Sequence, residues 1–154
     1  MRTRPYAAAD LDALIALFRT SVRALAPRDY TLGQVVAWAP DEIDPHDWRV
    51  RLAASSTWVA TGGDRPAGFI SFEGDGHLDM LYVDPEFQGR GVATMLLRQL
   101  EASAEARGLV RLFTESSVAA KPFFERRGFR AIVAQVVSRR GQRLANFRME
   151  RRLA

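Results

Sequence analysis

Apolar residues in the first part of the chain recur every three and four positions. Leu11, Leu14, Ile15, Leu17, Phe18, Val22 and Leu25 share one helical face, which predicts a helix over 10–26 with Asp10 as N-cap and Pro27 as stop. Shorter helices are expected over 31–38 and 45–54, the latter capped by Asp44 with Pro45 in its first turn. From Thr57 the period becomes two. "TWVAT", "AGFISFE" and "LDMLYV" read as strands separated by "GGDRP" and "GDGH", turns too short for crossovers, so they form an antiparallel meander. A long amphipathic helix over 92–107 follows, closed by Gly108. Next come a strand at "LVRLFTE", a short helix over 119–127 stopped by Gly128, and strands over 129–138 and 143–151 turned at Gly141.

With a short strand near residues 2–4, this order predicts an α/β (α+β) layered fold. Its sheet should be mixed and mostly antiparallel, with six to seven strands and four to five helices, because the strand–helix–strand passage from Leu78 to Thr114 must run parallel. No repeat or linker divides the 154 residues, so one domain over 1–154 is expected.

Hydrophobic content of 47% and charged content of 26% suit a soluble globular protein, and no apolar run approaches the ~20 residues that cross a bilayer. Asp10 and Asp12 interrupt the only stretch that could serve as a signal peptide, which predicts a cytoplasmic protein. The absence of cysteine excludes a disulfide framework and a thiolate site, and two histidines are too few for a convincing zinc site. A net charge of +4 favours an anionic ligand without naming it.

The glycine-rich stretch "VDPEFQGRGVATML" joins a strand to a helix. It lacks the Gly-Lys-Ser/Thr of a P-loop. It also fits a dinucleotide fingerprint poorly, since Thr94 stands at the third small position and Asp84 to Gln88 separate strand from glycine. Gly89 and Gly91 can either let backbone amides approach a phosphate at the helix start or merely permit a turn. On the glycines alone both readings stay open.

The flanking residues resemble the GNAT superfamily of N-acetyltransferases, whose signature is Gln/Arg-x-x-Gly-x-Gly/Ala between a strand and a helix. Here it is Gln88-Gly89-Arg90-Gly91-Val92-Ala93, and "SSVAAKPFFERRGF" is similar to the family's second segment, ending in Gly128-Phe129. The resemblance runs from about Arg2 through the chain and implies a three-layer fold that uses acetyl-CoA as cosubstrate without a metal. It implies that the backbone of Leu81, Tyr82 and Val83 holds the pantetheine arm and that amides from Gln88 to Ala93 cradle the pyrophosphate, with Arg90 and Thr94 adding contacts. Ser117, Phe123 and Phe124 are then expected beside the pantetheine, although a helix cap and core packing account for them equally.

Amide formation needs a neutral amine, a route for its proton and a donor for the developing oxyanion. The amide of Val83 or Tyr82 is expected to be that donor. Strand period two places His77, Asp79, Leu81 and Val83 on one face, making His77 and Asp79 the candidate bases, with a water relay as the alternative. Phe124 stands where many members of the family carry a tyrosine that protonates the leaving thiolate; Tyr82 or water is the candidate substitute, and a CoA thiolate, a tolerable leaving group near neutral pH, can also depart without one. Pro122 is also out of place if Ser117 caps the short helix. The acceptor, a small-molecule or protein amine, is expected at "RDYTLGQVVAWAPDEIDPHDW", where Tyr30, Trp38 and Trp48 stand among carboxylates suited to a cation, though the tryptophans equally suit a helical core. An acyl-CoA sensor without turnover is the rival reading. Neither nucleic acid nor membrane is an expected partner, and the last strand pair suits a monomer or a homodimer.

Overall fold

In the computed structural model, which describes residues 1–153, one sheet of seven strands has the order β1-β2-β3-β4-β5-β7-β6. The strands are β1 (Arg2–Pro5), β2 (Ser56–Gly62), β3 (Arg65–Phe72), β4 (His77–Val83), β5 (Arg111–Ser117), β6 (Arg130–Arg139) and β7 (Gln142–Arg152). The helices are α1 (Leu11–Arg23), α2 (Leu32–Trp38), α3 (Pro45–Ala53), α4 (Val92–Arg107) and α5 (Lys121–Arg126). Neighbouring strands are antiparallel except β4 and β5, which the α4 crossover forces to run parallel.

Alternation along the strands sorts the apolar residues into two cores. Val59, Phe69 and Met80 pack with Leu14, Phe18, Val35 and Leu52 of α1, α2 and α3. Ala60, Ile70, Leu78 and Leu112 point the other way, onto Leu96, Leu97 and Leu100 of α4 and Phe124 of α5. The sheet is therefore the middle of three layers, covered on both faces at β2 to β5, while β6 stays largely exposed.

Several expectations are corrected. Asp10 occupies the N-cap position of α1, but its side chain does not cap the helix: a 3-10 turn at Ala8–Asp10 precedes it, and the Asp10 carboxylate accepts from the Ala7 amide at 2.8 Å and from both Arg4 terminal nitrogens at 2.7 Å. A charged partner on β1 outcompetes the helix amides. α1 stops at Arg23 rather than near 26, because the backbone tightens into three-residue turns (Leu25 N to Val22 O, Ala26 N to Arg23 O) before Pro27, which has no amide to offer. α5 begins at Lys121, later than expected, so Pro122 falls in the first turn where its missing N–H costs nothing. Ser117 accordingly is not its cap; its Oγ accepts from the Ala120 amide at 3.0 Å in the turn before.

The shared face of His77, Asp79, Leu81 and Val83 is also corrected. Phe72 pairs with Leu78 and Ser71 with Met80, so Asp79 is an extra residue in a β-bulge. Leu81 and Val83 pack on the α4 side. Asp79 instead turns to Arg51 of α3, and His77 reaches Glu115, which lines the same cavity as Asp79. One inserted residue thus separates the candidate bases from the strand residues expected to hold the cofactor.

Candidate active site

β4 and β5 are in register only at His77–Phe113 and Leu78–Thr114. The Thr114 hydroxyl donates to Leu78 O at 2.9 Å, and beyond this link the strands part. Two cavities open at the gap: one of about 960 Å³ beside the glycine loop and α5, the other of about 700 Å³ beneath α2, α3 and the β6–β7 hairpin. Trp38, Tyr82 and Ser117 line both.

Of the residues expected around the cofactor, Leu81 to Val83, Gln88, Gly89, Gly91 to Thr94, Ser117, Phe123 and Phe124 all line the larger cavity. Arg90 does not; its guanidinium lies 5.3 Å from the centre of the Phe87 ring. The Gln88 amide is already committed to Pro85 O at 3.3 Å, which removes it from the expected cradle. Gly91 N-caps α4 with φ 77°, and Met95 N closes the first helical bond onto Gly91 O, so the amides of Val92, Ala93 and Thr94 precede the ladder. These donors and the positive end of the α4 dipole face one space. Arg28, Arg126 and Arg127, which sequence reasoning passed over, line it too, and Arg127 donates to the Thr94 hydroxyl. The "RR" before Gly128 was a visible signal; nothing local marked Arg28.

The β4 backbone completes this wall. Asp84 N donates to Ala67 O on β3, so by strand alternation the amide of Tyr82 also faces β3, while those of Leu81 and Val83 face the gap.

Tyr30, Trp38 and Trp48 all line the smaller cavity. Trp48 is also a core residue, 5.0 Å from Phe18 and 6.2 Å from Phe69 between ring centres. Glu42, Asp44 and Asp47 edge the cavity from the α2–α3 side, and Arg139 and Arg140 from the β6–β7 turn. Asn146 contributes a buried Oδ1 with no hydrogen-bond partner among the described residues. The Tyr30 hydroxyl accepts from the Val118 amide at 2.9 Å. Burial pushes its pKa up, against hydrogen bonds from Val118, Ser117 and Ala119. Burial likewise pushes Tyr82 up to about 12, opposed by a hydrogen bond from the Trp38 side chain. Phe124 is buried in the α4 core and brings no hydroxyl.

His77 lines neither cavity. Its Nδ1 sits 2.6 Å from Glu73 and its Nε2 2.7 Å from Glu115. Burial opposes its charge, but the two carboxylates outweigh that and raise its pKa. This contribution to stability is complete below the ordinary value of 6.5 and is lost as pH rises through the higher folded value. The Tm advantage of the wild type over His77→Gln is therefore expected to be largest at pH 5.5 and to shrink toward pH 9, read by thermal melts across that range. Asp79 has both oxygens on Arg51, at 2.7 and 2.8 Å.

Comparison with known proteins identifies the family and the fold. The GNAT acetyltransferase domain model matches residues 27–151. The chain is 40% identical over 149 residues to the uncharacterized N-acetyltransferase YafP of Escherichia coli K12, covering 97% of this chain and 94% of that one. A GCN5-related N-acetyltransferase structure from Rhodopseudomonas palustris superposes with a TM-score of 0.94 at 39% identity, covering 99% of this chain and 95% of that one. The PaiA N-acetyltransferase of Thermoplasma acidophilum, solved with coenzyme A, shares the fold with a TM-score of 0.76 at 20% identity over 99% of this chain and 98% of that one. The chain belongs to the GNAT family and is an acetyl-CoA-dependent N-acetyltransferase.

Proposed function

We propose that acetyl-CoA occupies the larger cavity, that a cationic primary amine enters the smaller one, and that the acetyl group passes directly between them at the β4–β5 gap. The observation that carries this reading is the meeting of the two cavities at Trp38, Tyr82 and Ser117. Pyrophosphate suits the α4 amides together with Arg126 and Arg127, since fixed donors and guanidinium forks both match phosphate oxygens. Pantetheine would run along Leu81 and Val83, whose gap-facing amides serve one for the arm and one for the thioester oxygen. Tyr82 is set aside as oxyanion donor because its amide faces β3.

The acceptor class follows from the smaller cavity, where aromatic rings combine with Glu42, Asp44 and Asp47. The GNAT relatives include a peptidyl-lysine N-acetyltransferase, YjaB of Salmonella typhimurium, 35% identical over 80 residues, or 51% of this chain and 53% of that one. That relative is consistent with an aliphatic amine. The departing thiolate takes its proton from the Tyr30 hydroxyl, whose oxygen accepts from Val118 and leaves its own hydrogen free. Tyr82, with its pKa near 12, gives up a proton less readily. Tyr30→Phe is expected to lower kcat about tenfold or more with KM for acetyl-CoA little changed, as general-acid loss does.

Thiol release from acetyl-CoA, measured with aliphatic diamines, arylamines and a lysine peptide, tests the reading. Intersecting initial-velocity lines and a preference for the diamines or the lysine peptide are expected. Tight CoA binding with no amine-dependent release would overturn it and favour the sensor reading that Phe124 suggests.

Arg140 gives a finer test of the acceptor wall. With Gly141 it forms the two-residue β6–β7 turn, φ 45° and 80°, a geometry that Asn-Gly adopts more readily. Its Nη1 donates to Ala37 O near the end of α2, at 2.7 Å, tying the hairpin to that helix across the cavity. Arg140→Asn should gain turn stability and lose the tie, leaving Tm nearly unchanged while KM for the amine rises several-fold and KM for acetyl-CoA does not.

A further inference from the structure

We propose that Glu115 is the carboxylate that takes the proton from the acceptor amine, and that His77 and Glu73 are positioning residues behind it. This rests on the assignment of the smaller cavity to the acceptor. Two carboxylates stand at the base of the gap, immediately beyond the last paired residues: Asp79 on β4 and Glu115 on β5. Both line the smaller cavity, and they differ in what their oxygens are doing. Asp79 is held by Arg51 through both, at 2.7 and 2.8 Å, so each of its oxygens already accepts from a guanidinium. Glu115 has Oε1 2.7 Å from His77 Nε2, while its Oε2 takes part in no hydrogen bond or ion pair among the described residues.

His77 is placed to hold Glu115 rather than to act as the base. Its ring nitrogens face two carboxylates at once, an arrangement that favours the imidazolium and leaves no lone pair for an amine proton. The ring also stacks on Phe113, with centroids 5.0 Å apart and planes at 23°. Glu73, His77 and Phe113 thus fix Oε1 of Glu115 and leave Oε2 for the cavity. Glu115 lies two residues before Ser117 on the same face of β5, and Ser117 lines both cavities. One strand repeat of about 7 Å separates them, within reach of an amine at the junction directly or through one water. The charged groups around Glu115 are His77 and Asp79 on β4, Glu73 before it, Arg51 on α3, and Arg148, the register partner on β7.

The step balances as follows. The entering ammonium first loses one proton to solvent; the lone pair of the resulting neutral amine forms the C–N bond at the thioester carbon, and the carbonyl pair moves onto oxygen. The proton on nitrogen passes to Oε2 of Glu115. The carbonyl re-forms, the C–S bond breaks, and the thiolate leaves with that electron pair to be protonated. Glu115, about two-fifths exposed at 43%, returns its proton to solvent.

Glu115→Gln preserves size and an oxygen for the His77 N–H while removing the basic group. With the amine of the panel that turns over fastest, kcat/KM is expected to fall ~100-fold or more, with CoA affinity as in the wild type and Tm lowered slightly by the loss of a charge beside His77. The deficit should shrink as pH rises and hydroxide takes over the proton transfer. His77→Gln, which keeps an N–H toward Glu115, should retain more activity than His77→Ala. Wild-type kcat/KM and pH profile in Glu115→Gln would overturn the proposal. Hydrolysis of acetyl-CoA without amine gives a reading free of acceptor identity, because water must lose a proton at the same place. Slower hydrolysis by Glu115→Gln supports the role of Glu115 even if every amine of the panel fails, in which case only the acceptor class falls. Equal hydrolysis overturns it.

Discussion

Gly91→Asp is expected to abolish acetyl-CoA binding at concentrations that saturate the wild type, with the fold retained. Gly91 N-caps α4 at φ 77°, and a Cβ there meets nothing within 4 Å among the described residues, so the substitution has room. Aspartate is among the residues that tolerate this backbone region, and the strain costs on the order of 1 kcal/mol. The new carboxylate, however, would stand beside the amides of Val92 to Thr94, where the proposed pyrophosphate must sit. Two like charges ~4 Å apart at an effective dielectric of ~20 repel by about 4 kcal/mol, about a thousandfold in Kd. Calorimetric titration with CoA reads the effect. Gly91→Ala carries similar strain without the charge, and its affinity should stay close to wild type; equal losses in the two variants would trace the effect to the backbone, and unchanged affinity in Gly91→Asp would remove the loop from the CoA site.

The second large effect is on stability, from Gly76→Val. Gly76 has φ 96°, and a Cβ there would lie 2.4 Å from the carbonyl oxygen of Arg111, a backbone atom that cannot rotate away. Gly76 O also accepts from Phe113 N at 3.1 Å, one residue before the His77–Phe113 pair. The substitution therefore forces β4 and β5 apart at the place where their parallel pairing begins. A loss of more than about 3 kcal/mol is expected, or roughly 6–12 °C in Tm for a chain of this size. Gly63→Ala, at φ 64° with open space around its Cβ, carries strain without the clash and should cost much less. Comparable melts for the two variants would show that the contact with Arg111 is not tight in solution.

The legible part of the molecule was the part governed by local chemistry. The α4 boundaries followed from its apolar stripe and from Gly108 beyond its end, and Asp44 with Pro45 marked the start of α3, where the Asp44 carboxylate accepts from the His46 amide at 2.9 Å. The same locality misled at Asp10. It is an ideal cap by type and position, yet Arg4 on the first strand bids higher for its carboxylate. At Asp79 the strict two-residue period failed because a bulge is set by pairing with β3, which composition does not announce. His77 was attractive as a base for its ordinary pKa; what the sequence did not show is that the fold sets it between two carboxylates, one of them 38 positions along the chain.

By itself the sequence determined which segments are helix and strand, where the glycine loop meets a helix, and the family to which that loop belongs. Those properties depend on neighbours within a few residues, through periodicity, capping and backbone freedom. The tertiary structure alone decided which carboxylate faces the smaller cavity with an oxygen to spare, that Arg28 and Arg127 share the larger cavity, and that two cavities meet where β4 and β5 part. These depend on sheet register and on charge pairs across long separations, Arg51 to Asp79 at 28 positions and His77 to Glu115 at 38, which only the folded chain brings within hydrogen-bond distance.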